Sequence, residues 1–128
     1  IHLEEPTFKV VRYFEIQLLA LLGFKPELKN CVVTGNKILP QTQYFSSSLG
    51  GAVSPEAGRG SEGVLPISIE GLKFLRHFQR SSYQQAIKLE ISKKTEMEVE
   101  LITQHYMTYI LETNLKTPSF LRRLRNKN

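Results

Sequence analysis

Hydrophobic positions recur with a helical period in two parts of the chain, residues 6–23 and 68–115, and lose it in between. In the first part, PTFKVVRYFEIQLLALLG, Phe8, Val11, Leu18 and Leu22 follow one helical stripe. Val10, Phe14, Leu18 and Leu21 make a second, adjacent stripe. Pro6 suits a first helical position, and Gly23 followed by Pro26 is a stop signal. The stretch IQLLALLGF is apolar nearly all round, which predicts a central helix covered on most sides by others.

Residues 24–66 are rich in Gly, Pro, Ser, Thr and Asn and keep no sustained period. Residues 43–45 and 51–53 predict a hairpin across SSSLG. Residues 32–33 and 64–67 are further extended candidates, and residues 54–63 read as a loop. So long an irregular segment needs a reason, and a metal-stapled knuckle, or the remains of one, supplies it. From Ser68, a good N-cap, the period returns with Ile69, Leu72, Leu75 and Phe78, to end near residues 80–82. A short helix follows from Ser82, with Tyr83, Ala86 and Ile87 inward. Ser92 or Thr95 caps a long helix over residues 95–115 that buries Val99, Ile102, Tyr106, Tyr109 and Ile110. Glu96, Glu98 and Glu100 sit near its start, where negative charge is favourable, and Asn114 and Pro118 mark its end. A last turn over residues 118–124 is expected to press Phe120, Leu121 and Leu124 on the core. The fold class is therefore mainly α. One domain, residues 1–128, forms a helical bundle around its central N-terminal helix. Residues 24–66 form an irregular zinc-knuckle-like insertion holding a short β-hairpin.

Charge adds a second feature. Of 17 basic and 12 acidic residues, Lys116, Arg122, Arg123, Arg125 and Lys127 fall in the last thirteen positions with no acid, so the whole net charge of +5 sits there. Such a cluster favours phosphate backbones or acidic peptides, and it equally suits the solvated end of a terminal helix. No apolar run approaches the roughly 20 residues of a membrane span. The single cysteine excludes an intrachain disulfide and suits a reducing cytoplasm. The start at Ile1 rather than methionine gives the expectation of a fragment or processed product.

Enzyme chemistry finds little support. His2, His77 and His105 make no zinc-helix pattern, there is no Asp, and no phosphate loop or G-x-S-x-G elbow occurs. Cys31 lacks an obvious base partner. Its spacing is informative: Thr34 lies three residues on and Gly35 follows, while Ser54 and Ala57 repeat the interval after Gly50 and Gly51. Cysteine at all four places would give a four-thiolate zinc site closed by two knuckles. Thr, Ser and Ala do not replace soft thiolates.

The chain resembles the C-terminal part of the RecO family of bacterial DNA repair proteins. The likeness runs through RYFEIQLLALLGFKPELKNCVVTG, YFSSSLGGAVSPEA, ISIEGLKFLRHFQRSSYQQAIKLEIS and YMTYILETNLKTPSFL, in that order. It implies an α-helical domain with an inserted, often zinc-binding, subdomain, following an OB-fold that lies outside this sequence. It also implies binding of single- and double-stranded DNA, strand annealing, partnership with RecR, and help for RecA in replacing single-strand-binding protein. The acidic, Phe-ended tail of that binding protein docks on the helical domain. The departures at Thr34, Ser54 and Ala57 predict no bound zinc and no other cofactor. Packing of Leu28, Val32, Val33, Tyr44 and Phe45 is expected to hold the knuckle instead.

On this resemblance Arg12, Lys9 and Tyr13 are the docking candidates for the peptide, with Phe8 and Ile16 beside them. Arg122, Arg123, Arg125 and Lys127 are the main DNA candidates, with Lys25, Lys29 and Arg59 weaker ones on loops. The alternative is a structural brace that orients the OB-fold and binds nothing itself.

Overall fold

In the computed structural model, residues 7–115 are described. Helix α1 (Thr7–Leu21) leads into an irregular insertion carrying β1 (Gln43–Ser46), β2 (Gly51–Val53), the one-turn α2 (Pro55–Gly58) and β3 (Val64–Ile67). Helices α3 (Ile69–Arg80), α4 (Tyr83–Ala86) and α5 (Lys93–Leu115) complete the order. About half of the described chain is helical, beside one small antiparallel sheet.

Helix α1 stops where the sequence says it should. Gly23 takes φ +90°, a conformation open to glycine, and Phe24 N–H closes back on Leu19 O at 2.7 Å. The buried line of α1 is Phe8, Arg12, Ile16 and Leu19, facing α3, α4 and α5. This differs from both stripes read off the sequence. Phe14 is 66% exposed and Leu21 84%, with Val10 and Leu22 also open. The expectation of a helix covered on most sides is thereby corrected: among the described residues nothing covers that flank. A helix with three packed neighbours has no fourth one to spare for it.

Helix α3 begins as expected. Ser68 Oγ accepts from Gly71 N–H at 3.1 Å, and Glu98 of α5 accepts from both Ser68 N–H and Ser68 Oγ. Leu72, Phe74, Leu75 and Phe78 are buried, with Phe74 and Phe78 stacked at 4.0 Å and Phe8 set 6.0 Å from Phe74. Ser82 and Gln85 make a capping box at α4, while Tyr83 lies mostly outward, edge-on to Tyr13. Of the two caps considered for α5, Ser92 serves: its Oγ accepts from Thr95 N–H. Val99, Ile102, Tyr106 and Ile110 are buried along α5, and Tyr109 is half-buried.

The strand order is β2-β1-β3. Phe45 pairs with Ala52 on one side and Leu65 on the other, and the edge strand β3 tolerates Pro66 opposite Tyr44. The hairpin and the extended 64–67 segment are as the sequence implied. Residues 32–33 form no strand: Val32 N–H bonds Ala52 O across the free edge of β2, and Val33 is exposed rather than packed. Glu27 sits on that same edge, exchanging backbone bonds with Gly50 and Ala52. The crossing is so close that a Cβ on Gly51 would stand 2.3 Å from Glu27 O.

Candidate nucleic-acid interface

The residues singled out for peptide docking are all engaged inside the protein. Lys9, Tyr13 and Gln17 form one line on α1, four residues apart. Lys9 Nζ donates to Ile87 O, Tyr13 Oη to Ser81 O and Gln17 Nε2 to Phe78 O, each at 2.9 Å. These carbonyls lie at the C-terminal ends of α3 and α4, where helical partners run out. Lys9 is only 7% exposed and Arg12 only 2%. A rim for an acidic peptide needs exposed charge, so Lys9 and Arg12 are not rim residues in this fold.

Arg12 sits in a buried charge cluster. Its Nε is 2.7 Å from Glu15 Oε1, its Nη1 3.9 Å from Glu100 Oε1, and its Cζ lies 5.3 Å from the Phe8 ring centroid. The Glu15 contact is short but badly aligned for a hydrogen bond, leaving Arg12 Nε, Arg12 Nη1 and Glu15 Oε1 buried without one. It is a charge pair. Burial pushes the Glu15 carboxyl above its ordinary range; Arg12 opposes that, and Glu100 adds to it.

Around Cys31 the insertion forms a small polar cluster. Cys31 is 2% exposed. Its Sγ accepts from Thr34 N–H at 3.4 Å and Ser54 N–H at 3.3 Å, and Ser54 Oγ lies 3.6 Å away. Thr34 and Ser54, two of the places marked by the knuckle-like spacing, thus touch the Cys31 sulfur. Burial pushes the thiol up, but the hydrogen bonds from Thr34 and Ser54 outweigh it and bring it from 9.0 down to about 6. The donor set does not fit zinc: Thr34 and Ser54 offer hard hydroxyls, Ala57 offers nothing, and no cluster of three or more His, Cys, Asp or Glu stands together among the described residues. Leu28 and Phe45 are buried beneath the knuckle, with Val32 and Tyr44 half-buried.

The loop cations are placed differently. Lys25 and Lys29 are exposed on the strand-like segment leaving α1. That segment is pinned to α3: Arg76 Nε and Nη2 both donate to Leu28 O, at 2.9 and 2.5 Å, and Gln79 Nε2 donates to Pro26 O at 2.9 Å. The pinning sets the segment that carries Lys25 and Lys29 against Arg76 and Gln79 of α3, the helix that also carries Lys73 and Arg80. Sequence reading passed over Lys73, Arg76 and Arg80, although their spacing of three and four residues was a visible signal. Arg59 stands apart, lining a cavity with Thr42, Tyr44, Glu56 and Pro66. Arg122, Arg123, Arg125 and Lys127 lie outside the described residues. No helix among the described residues is long and apolar enough to cross a membrane.

Comparison with known proteins extends over nearly the whole chain. The family described as "Recombination protein O C terminal" matches residues 2–119. A DNA repair protein RecO from Dehalococcoides mccartyi (strain 195) is 34% identical over 117 residues, covering 91% of this chain and 46% of that protein. Proteins of the same name from Roseiflexus sp. RS-1 and Thermoanaerobacter sp. X514 are each 32% identical, covering 87% and 88% of this chain and 39% and 45% of their own lengths. The chain thus spans somewhat less than half of each of these relatives. No solved structure matches. A match running from residue 2 to residue 119, through α1, the insertion and α3 to α5, leads to one conclusion: this chain belongs to the RecO C-terminal family.

Proposed function

We propose that this chain is the helical part of a recombination mediator, a DNA-binding and partner-binding module rather than an enzyme. Within a longer protein it would contribute to DNA repair: binding single- and double-stranded DNA, annealing strands, and aiding RecA loading with RecR and single-strand-binding protein in the cytoplasm. The observation that carries this reading is the family match across residues 2–119. The exposed Lys25 and Lys29, held in place by Arg76 and Gln79, are in keeping with it. Arg122, Arg123, Arg125 and Lys127 would add a second, salt-sensitive contact. The knuckle serves here as a scaffold without metal.

A second reading, a brace for an adjoining OB-fold, is favoured by one observation. Val10, Phe14 and Leu21 form an exposed apolar line on α1, and Lys9 and Arg12 are turned inward. Titration with single-stranded DNA and with an acidic, Phe-terminated peptide, at low and moderate salt, separates the two. Salt-sensitive DNA binding supports the mediator; binding to neither ligand leaves the brace.

A further inference from the structure

We propose that the outer face of α3, together with the loop pinned to it, docks the phosphate backbone of duplex DNA. This rests on the DNA-binding reading above and names the surface and the form of DNA.

The placement follows from the helical period. Phe74, Leu75 and Phe78 point into the core, so Lys73, Arg76 and Arg80, offset by three and seven residues, share the opposite face. Lys73 and Arg80 are about 10 Å apart along the axis. Lys25 and Lys29 flank them on the segment that Arg76 and Gln79 hold. Five cations thus belong to α3 and the segment bonded to it. Arg76 spends Nε and Nη2 on Leu28 O, and its Nη1 takes no partner among the described residues.

Two further features favour an outside polyanion. Among the described residues Lys25, Lys29, Lys73 and Arg80 form no ion pair. The acid within the loop, Glu27, is turned back on its own backbone, its Oε1 accepting from Lys29 N–H at 2.9 Å and Asn30 N–H at 2.8 Å. The acids beside these five cations are Glu27 in the loop and Glu70 in the first turn of α3, so the surface keeps a net positive charge, whose self-repulsion a bound polyanion relieves.

The form of DNA follows from what the face lacks. The exposed Phe and Tyr side chains among the described residues are Phe14 on α1 and Tyr83 on α4, neither on this face. Single strands are held by aromatic stacking as well as charge, whereas duplex contacts to phosphate need charge and fixed spacing alone. A straight helix presenting cations at set intervals suits the second.

The test measures anisotropy of a short labelled duplex and of one of its strands with the full chain, over roughly 50 to 200 mM salt. Lys73→Glu with Arg80→Glu alters exposed positions, and a thermal melt verifies folding. Lys93→Glu with Lys94→Glu makes the same charge change at the start of α5. The first pair is expected to weaken duplex binding at least tenfold and to flatten the log–log salt slope by about 1.8, two phosphate contacts' worth. The second pair should leave the slope unchanged. Equal effects of the two pairs overturn the assignment to α3, and a greater loss on the single strand overturns the choice of duplex. Wild-type chain that binds neither DNA overturns the DNA-binding reading as well.

Discussion

Replacing Arg12 by methionine tests whether this residue holds the fold or meets a ligand. The change keeps most of the volume and removes the charge. Arg12 is 2% exposed, and its partners Glu15 and Glu100 have side chains only 19% and 11% exposed. Breaking a buried pair from one side leaves the other charge uncompensated, at about 3–5 kcal/mol. Here Glu15 is left buried without its cation, while the misaligned Glu15 contact and the ability of Glu15 to take up a proton soften the loss. We expect about 3 kcal/mol, a fall of about 1.5–2 M in the urea midpoint. Adding Glu15→Gln and Glu100→Gln should recover most of it, because neutral amides replace the carboxylates that faced Arg12. The pH dependence supplies a second check. Glu15 has a raised carboxyl in the folded state, so its contribution to stability is complete below its ordinary value and is lost as pH rises through the raised one. Loss of Arg12 removes the influence that lowered it, so the penalty should shrink on going from about pH 8 to about pH 5. An unchanged midpoint, or a loss that the two glutamines do not restore, refutes the buried-pair account.

Three more measurements bear on the insertion. Gly51→Ala should destabilise by about 3 kcal/mol in chemical denaturation, because the new methyl meets Glu27 O at 2.3 Å and Glu27 N at 2.9 Å, both backbone atoms. Cys31 has a depressed thiol, so its stabilising effect is present above pH 9 and is lost as pH falls through about 6. Wild-type stability should rise across that window by up to about 4 kcal/mol, and Cys31→Ser should flatten the rise. Placing cysteine at Thr34, Ser54 and Ala57 should create a site holding one zinc per chain by elemental analysis, with a zinc-dependent gain in melting temperature, whereas the wild type should bind none.

Much of the architecture was legible because its signals are local. Ser68 and Ser82 as caps, Gly23 as a stop and Gly50 at the hairpin each act within a few residues, and the corresponding elements stand where the sequence placed them. The core line of α1 was not legible. It passes through Arg12, and hydrophobic periodicity skips a charged residue; Glu15 is a local partner three residues on, but the packing of α5, which brings Glu100, is tertiary. For the same reason Phe14 and Leu21 read as core and are exposed. The knuckle spacing was visible, but the N–H groups of Thr34 and Ser54 that now satisfy Cys31 carry no side-chain signature. Lys73, Arg76 and Arg80 escaped notice because a charged helical face is ordinarily just a solvated one. It is the anchoring of Leu28 by Arg76 that adds Lys25 and Lys29 to it.

Six of the long-range ties share a form: Lys9, Tyr13, Gln17, Arg76, Gln79 and Tyr106 each reach from a side chain to a main-chain carbonyl, those of Ile87, Ser81, Phe78, Leu28, Pro26 and Phe24. A carbonyl is present whatever residue carries it. Selection acting through these ties therefore weighs on one end only. The donors are held to their identity, while Ser81 and Ile87 are free to drift as far as these bonds are concerned. Relatives can diverge widely at such acceptor positions and still keep the insertion and the helices in the same arrangement.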